Sequence, residues 1–213
     1  MKYESLILDI DGTLWDSRAL VAQGYNLQLT AEGLSRYFVD AERLKPLFGK
    51  VMTEIADAMF PDLPEDSRYA LMERCMEREN RFLHENECAI GYPGVAEALS
   101  CLAERHRLFI VSNSQCGYPE LCIGKLGLDK YITGHLCFGD TGTDKGTTIR
   151  ILMEKYAISS AAYVGDTEGD REAAEKAGID FLWAAYGFGT ATKYAGKLDA
   201  TVDLIRLEKE GRL

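Results

Sequence analysis

The chain has 213 residues, 46% of them hydrophobic, and a formal charge of −10, enough apolar material for one full domain core and a smaller module. Its acidic balance and lack of any Lys/Arg patch exclude broad binding of nucleic acid, which draws its affinity from cations meeting phosphates. No run approaches the roughly 18 apolar residues of a membrane span, so no membrane partner is expected. A small phosphorylated ligand fits, because the field in one pocket can differ from that of the surface.

Lys2, Tyr3 and Glu4 lead straight into the apolar run Leu6-Ile7-Leu8. That run is too short for a secretory segment and lacks a small-residue cleavage site, so a cytoplasmic protein is expected. The six cysteines (Cys75, Cys88, Cys101, Cys116, Cys122 and Cys137) form no CxxC pair. They read as reduced, mostly buried, small hydrophobes without a functional part.

Ser5 to Ile10 reads as a buried strand, stopped by the turn-forming Asp11-Gly12-Thr13. From about Ser17 to Asn86 no strand is expected. Leu71, Met72, Cys75, Met76, Phe82 and Leu83 recur at helical spacing, and Pro61 and Pro64 break the pattern just before that helix. After the punctuation of Gly91-Tyr92-Pro93-Gly94 the rhythm changes. Helices are expected over Val95 to Glu104, Pro119 to Leu126, Thr147 to Tyr156 and Glu168 to Ala177. Strands are expected over Leu108 to Val111, Leu136 to Phe138, Ala161 to Val164 and Phe181 to Ala184. Alternation of this kind predicts an α/β fold, a parallel sheet covered by helices on both faces. The first strand joins that sheet if the helical stretch is an insertion. The expected division is therefore 1–16 with 88–213 as core, and 17–87 as a helical module.

Ligand sites in open parallel sheets lie beyond the carboxyl ends of the strands. At those ends stand Asp9 and Asp11 after the first strand, Ser112 and Asn113 after Val111, and Asp166 and Asp170 after Gly165. Lys145 opens a helix after a loop rich in Gly and Thr. This mixture matches what phosphoryl transfer needs. Mg²⁺ takes hard oxygens, which Asp9, Asp166 and the backbone carbonyl of Asp11 could supply. Lys145 and the Ser112 hydroxyl could hold phosphate oxygens as charge spreads in the transition state. A carboxylate is an effective nucleophile toward phosphorus, and Asp11 could pass a proton to the leaving oxygen and later take one from water.

Asp9-Ile10-Asp11-Gly12-Thr13-Leu14, with Asp16 and Ser17 after it, resembles the first motif of the haloacid dehalogenase-like hydrolase superfamily. Ser112-Asn113, Lys145 and the run from Val164 to Asp170 resemble its second, third and fourth motifs, in the right order. Ala173, Ala174, Ala177-Gly178 and Tyr186-Gly187 also fit. The resemblance implies a Rossmann-like core with an inserted α-helical cap, as in the phosphoglycolate phosphatase-like group. It implies Asp9 as nucleophile, Asp11 as acid and base, and Ser112 with Asn113 and Lys145 as phosphate ligands. Asp166 would bind magnesium beside Asp9 and Asp11, and Asp170 would ligate through water or orient its neighbours. One departure is visible: Gly146 follows Lys145 where many relatives carry proline.

Plainer readings stand beside these. Ser112-Asn113 taken alone caps a helix, Lys145 taken alone is a solvated lysine, and Glu168 and Asp170 suit a helix N-terminus. Lys50, in the interruption Phe48-Gly49-Lys50-Val51, resembles a cap-loop residue facing a substrate's second anionic group, and equally an exposed lysine at a helix start. Trp15 either lines an entrance or packs at a hinge. Three functions stay open: a phosphatase of small phosphorylated metabolites, a phosphosugar mutase-type phosphotransferase, and a non-catalytic phospho-ligand binding protein. The motifs carry no signal about oligomeric state.

Overall fold

The computed structural model describes residues 2–87 and 90–213. Cys88, and the expected core boundary at residue 88, lie outside the described residues. The chain forms two compact units, Met1–Asp16 with Gly91–Leu213, and Ser17–Ile90.

In chain order, β1 (Ser5–Leu8) is followed by α1 (Arg18–Ala31), α2 (Ala41–Leu44), α3 (Met52–Met59) and α4 (Glu65–Glu85), with single 3₁₀ turns at Ser35–Tyr37 and Lys45–Leu47. The second unit therefore contains helices and no strand among the described residues. Its two long members, α1 and α4, pack along each other. Helix α3 stops at Met59 and Pro64 is the N-cap of α4, which is where the two prolines block helical continuation.

The first unit continues with α5 (Val95–Leu102), β2 (Arg107–Ser112), α6 (Tyr118–Leu126), β3 (Ile132–Cys137), α7 (Phe138–Thr141) and α8 (Lys145–Lys155). Then come β4 (Ala161–Gly165), α9 (Glu168–Ala177), β5 (Asp180–Ala184), β6 (Gly196–Leu198) and α10 (Asp203–Lys209). The strands make one parallel sheet in the order β3-β2-β1-β4-β5-β6, a Rossmann-like α/β arrangement.

Parallel strands covered on both faces need apolar side chains at successive positions, and β1, β4 and nearly all of β2 are buried throughout. On one face Ile7, Phe109, Val111, Tyr163 and Phe181 meet Ile149 and Leu152 of α8 and Ala173 and Ala174 of α9. Leu6, Leu8, Leu108, Ile110 and Val164 are fully buried at the alternate positions, which point to the other face.

Several boundaries differ from expectation. Strand β1 ends at Leu8, because Thr13, Leu14 and Trp15 all turn back to donate to the Ile10 carbonyl. Helix α5 ends at Leu102. Strand β3 covers Ile132–Cys137 instead of Leu136 to Phe138; it is an edge strand, only half-buried, and carries Gly134 and His135. Helix α8 starts at Lys145, because Asp144 caps it by accepting the Thr147 amide at 3.2 Å. Gly146 has a packing reason: a Cβ there would lie 2.9 Å from Lys176 Cβ and 3.0 Å from the Ala173 carbonyl. The close contact of α8 with α9 thus accounts for a residue without a side chain after Lys145.

Candidate active site at the carboxyl edge of the sheet

The strand order reverses at β1 and β4, since the chain builds outward through β2 and β3 and then returns to the other side of β1. A crevice opens at such a switch point. Asp9 follows β1 there, its amide extending the ladder to the Val164 carbonyl at 2.8 Å, and Asp166 follows the neighbouring β4.

Asp9, Asp166 and Asp170 are all buried, and each offers a carboxylate oxygen within 4.8 Å of the other two. Lys145 reaches them from the first turn of α8. Its Nζ donates to Asp9 Oδ1 at 2.9 Å and to Asp170 Oδ1 at 2.6 Å, and its side chain is only 5% exposed. Lys145 is therefore a buried partner of two carboxylates and not a solvated lysine. Burial by itself would lower its pKa, but Asp170 and Asp9 overcome that and raise it above the ordinary value, so it is an ammonium at neutral pH.

One ammonium does not balance three carboxylates. Burial lifts the Asp9 carboxyl well above the usual range, opposed by Lys145 and assisted by Asp170 and Asp166. Burial and the charge of Asp170 push Asp166 up to about 7, against the pull of the Phe188 and Gly189 amides. Those amides donate to Asp166 Oδ2 at 2.6 and 3.2 Å. Asp166 Oδ1 is buried and meets no hydrogen-bond donor among the described residues. Backbone presses in around this side chain: a Cβ on Gly12 would lie 2.6 Å from Asp166 Cγ, and one on Gly187 would overlap Asp166 Cβ. Gly12 also sits at φ +79°, where a side chain is strained.

Asp170 has two attachments. Its Oδ2 accepts from the Thr167 hydroxyl at 2.7 Å and the Thr167 amide at 3.0 Å, closing the capping box that starts α9. Its Oδ1 holds Lys145. Asp170 thus starts the helix with one oxygen and holds Lys145 with the other. Glu168 is taken up by Arg171 and by the Thr192 amide and hydroxyl.

The Asp11 carboxylate is held by two aromatic residues. Its Oδ1 accepts from Trp15 Nε1 at 2.9 Å and from the Tyr118 hydroxyl at 2.8 Å. Trp15 is fully buried, with its ring against that of Tyr118. Ser112 is the last residue of β2, buried, with its hydroxyl accepting the Ser114 amide at 3.2 Å. Neither Ser112 nor Asn113 caps the next helix, because Gly117 does. Lys50 is exposed on the turn between Lys45–Leu47 and α3 in the helical unit.

Tyr118, Phe188 and Gly189 escape a reading of the sequence. Tyr118 meets a residue 107 positions away, and the two amides have no side-chain signature. The pair Gly187 and Gly189 was the one available hint of close backbone approach. A second group of ligand-type atoms, on Cys116, Cys137 and Asp140, is a helix cap closed on itself. Asp140 Oδ2 accepts the Cys137 amide at 2.8 Å, and the Asp140 amide donates to Cys137 Sγ at the start of α7. No helix among the described residues is long and apolar enough to cross a membrane.

A parallel sheet with carboxylates and a lysine gathered at its switch point defines a Rossmann-like protein whose site handles paired charges. The sequence pattern of the haloacid dehalogenase-like hydrolases matches residues 6–184, and the chain belongs to that family. A phosphoglycolate phosphatase of Rhodobacter capsulatus is 25% identical, over 86% of this chain and 85% of the relative. A pyrophosphatase of Listeria monocytogenes is also 25% identical, over 87% of this chain and 86% of its own. A haloacid dehalogenase-like family hydrolase of known structure from Streptococcus pneumoniae superposes with a TM-score of 0.82 at 16% identity, covering 97% of this chain and 99% of that one. That last likeness speaks for the fold.

Proposed function

We propose that the chain is a magnesium-dependent phosphatase acting on a small phosphorylated metabolite, with the phosphoryl group carried briefly on Asp9. The observation that supports this most is the uncompensated charge: among the described residues, three buried carboxylates gather around the Lys145 ammonium, and Asp166 Oδ1 is buried without a donor. Buried carboxylates are retained at such a cost where they are paired or hold a metal. The donor set, all hard oxygens, suits Mg²⁺. Asp9, Asp166 and the Asp11 carbonyl would hold it, and Asp170 would orient Lys145. When bound, the ion offsets the repulsion between Asp9 and a phosphate dianion.

The remaining chemistry belongs to the chain. Asp9 attacks phosphorus, the bond to the ester oxygen breaks, and Asp11 passes its proton to that oxygen as the alcohol leaves. Asp11 then takes a proton from water, the hydroxide attacks the phosphoryl group, and inorganic phosphate departs with the Asp9 carboxylate restored. Lys145, Ser112 and Asn113 hold the equatorial oxygens during both displacements.

The names of the two relatives favour a phosphate ester or anhydride as substrate. The helical unit, with Lys50, is proposed to carry substrate choice, and the free cysteines suit a cytoplasmic setting.

The test is phosphate release from p-nitrophenyl phosphate and a metabolite panel, with Mg²⁺ or EDTA, for wild type and Asp9→Asn. Magnesium-dependent release that is lost in the variant, with label from substrate trapped on wild-type protein alone, is the expected result. An isomerised sugar phosphate without net phosphate release would replace the hydrolase by the mutase reading. Ligand binding with no turnover of any compound would leave only the binding-protein reading.

A further inference from the structure

Two neutral donors converge on a single oxygen of Asp11. Trp15 Nε1 and the Tyr118 hydroxyl approach Oδ1 at 2.9 and 2.8 Å. Their rings pack edge to face, with centroids 5.5 Å apart and planes at 76°. Trp15 is fully buried and Tyr118 is 2% exposed. The donors arrive from opposite parts of the chain. Trp15 lies on the same turn as Asp11, four residues on, and Tyr118 opens α6 just after Gly117, which adopts φ +84°. Because each ring buttresses the other, neither donor can swing away without unpacking its neighbour.

Resting on the acid–base part assigned to Asp11 above, we propose that Tyr118 is a positioning residue for this reaction. With Trp15 it fixes the plane and direction of the Asp11 carboxylate, so that one carboxyl group serves both the leaving oxygen and the incoming water. Those two oxygens occupy the same position in the two displacements, one after the other. A carboxylate free to rotate would be aimed correctly only part of the time, and proton transfer needs hydrogen-bond reach. The plainer account is that a buried phenol requires an acceptor and finds one in Asp11. The two accounts differ in what the loss of the hydroxyl does.

Tyr118→Phe keeps the ring and deletes one donor. The second-order constant kcat/KM reports the step in which the ester oxygen departs. It can be measured for dinitrophenyl, p-nitrophenyl and phenyl phosphate, whose leaving groups need a proton to increasing degree. A positioning role predicts a loss of about tenfold or more for phenyl phosphate and less than about twofold for dinitrophenyl phosphate, since general acid help is worth roughly a hundredfold or more where it is needed. Trp15→Phe should give the same split, and serves if Tyr118→Phe does not fold. An equal loss on all three esters, or no loss, would overturn the proposal. Asp11→Asn is the reference. If it shows the leaving-group split and the Tyr118 variant does not, positioning alone fails. If Asp11→Asn shows no split, the acid–base assignment itself falls and the positioning proposal falls with it.

Discussion

Replacing Lys145 by Met removes the ammonium bonded to Asp9 and Asp170 while preserving the length and packing of the side chain. Its side chain is 5% exposed and those of Asp9 and Asp170 are 4% and 1% exposed, so water cannot take over its work. Removing one partner from such a cluster costs about 3–5 kcal/mol. That corresponds to roughly 10 °C in Tm for a chain of this size.

The loss has a definite pH dependence. In wild type the lysine pKa lies above 10.5, so its contribution is constant between pH 5 and 8. Any change in the difference between variant and wild type across that range belongs to the carboxylates. Asp9 and Asp166 have folded-state pKa values above their unfolded value of 3.8, Asp166 reaching about 7. Groups of this kind bind more protons in the native state than in the unfolded one. They therefore favour folding increasingly as pH falls toward the unfolded value. Without the ammonium those pKa values rise further, so the variant recovers up to about 1.4 kcal/mol per pH unit for each proton taken up.

Urea unfolding in EDTA at pH 5.5 and 7.5 measures this. The destabilisation should be largest at pH 7.5 and clearly smaller at pH 5.5. A loss under about 1 kcal/mol at pH 7.5, or an equal loss at both values, would show that Lys145 does not neutralise this cluster.

Two further perturbations probe the frame around the site. Gly12→Ala places a side chain at φ +79° and a Cβ 2.6 Å from Asp166 Cγ, a carboxylate that two backbone amides hold in place. A loss of about 2 kcal/mol or more is expected, together with weaker Mg²⁺ binding by calorimetric titration; a fully stable variant would contradict the geometry. Asp144→Ala deletes the cap of α8 and the 2.7 Å contact with Lys176, for a loss of about 1 kcal/mol at neutral pH. Lys176 holds the Asp144 carboxyl down at about 2 against an ordinary 3.8. The stability it contributes is therefore present above pH 3.8 and lost as pH falls toward 2. Denaturation of the variant should accordingly converge on that of wild type through that window.

The strands of the centre were legible because burial on both faces leaves an unbroken apolar run, as in Leu6-Ile7-Leu8 and Leu108 to Val111. Edge elements lack that signal. Gly196–Leu198 has a single exposed lysine between two buried residues, and β3 carries Gly134 against the hydroxyl of Tyr156. Both were missed or misplaced. The same division runs through the site. Residues at strand ends are specified by local pattern plus the topology rule, which is why Asp9, Ser112 and Asp166 stood out. The partner of each charge is set by packing between distant segments. Nothing near Lys145 in sequence says that Asp170 and Asp9 will share it, and nothing near Asp11 points to Tyr118.

That division bears on why the site is built with an unbalanced charge. A cluster of three carboxylates and one ammonium is held by rigid parts: the Asp9 amide in the sheet ladder, the capping box of α9, and two amides on Asp166. None of these can relax away to relieve repulsion, so burial, with the neighbouring carboxylates adding to it, appears as raised carboxyl pKa values. A divalent cation would bring the group to neutrality, and only then could a phosphate dianion approach Asp9 without net repulsion. The carboxylates that are costly to bury would thus be the same groups that draw in a cation and, with it, an anionic substrate.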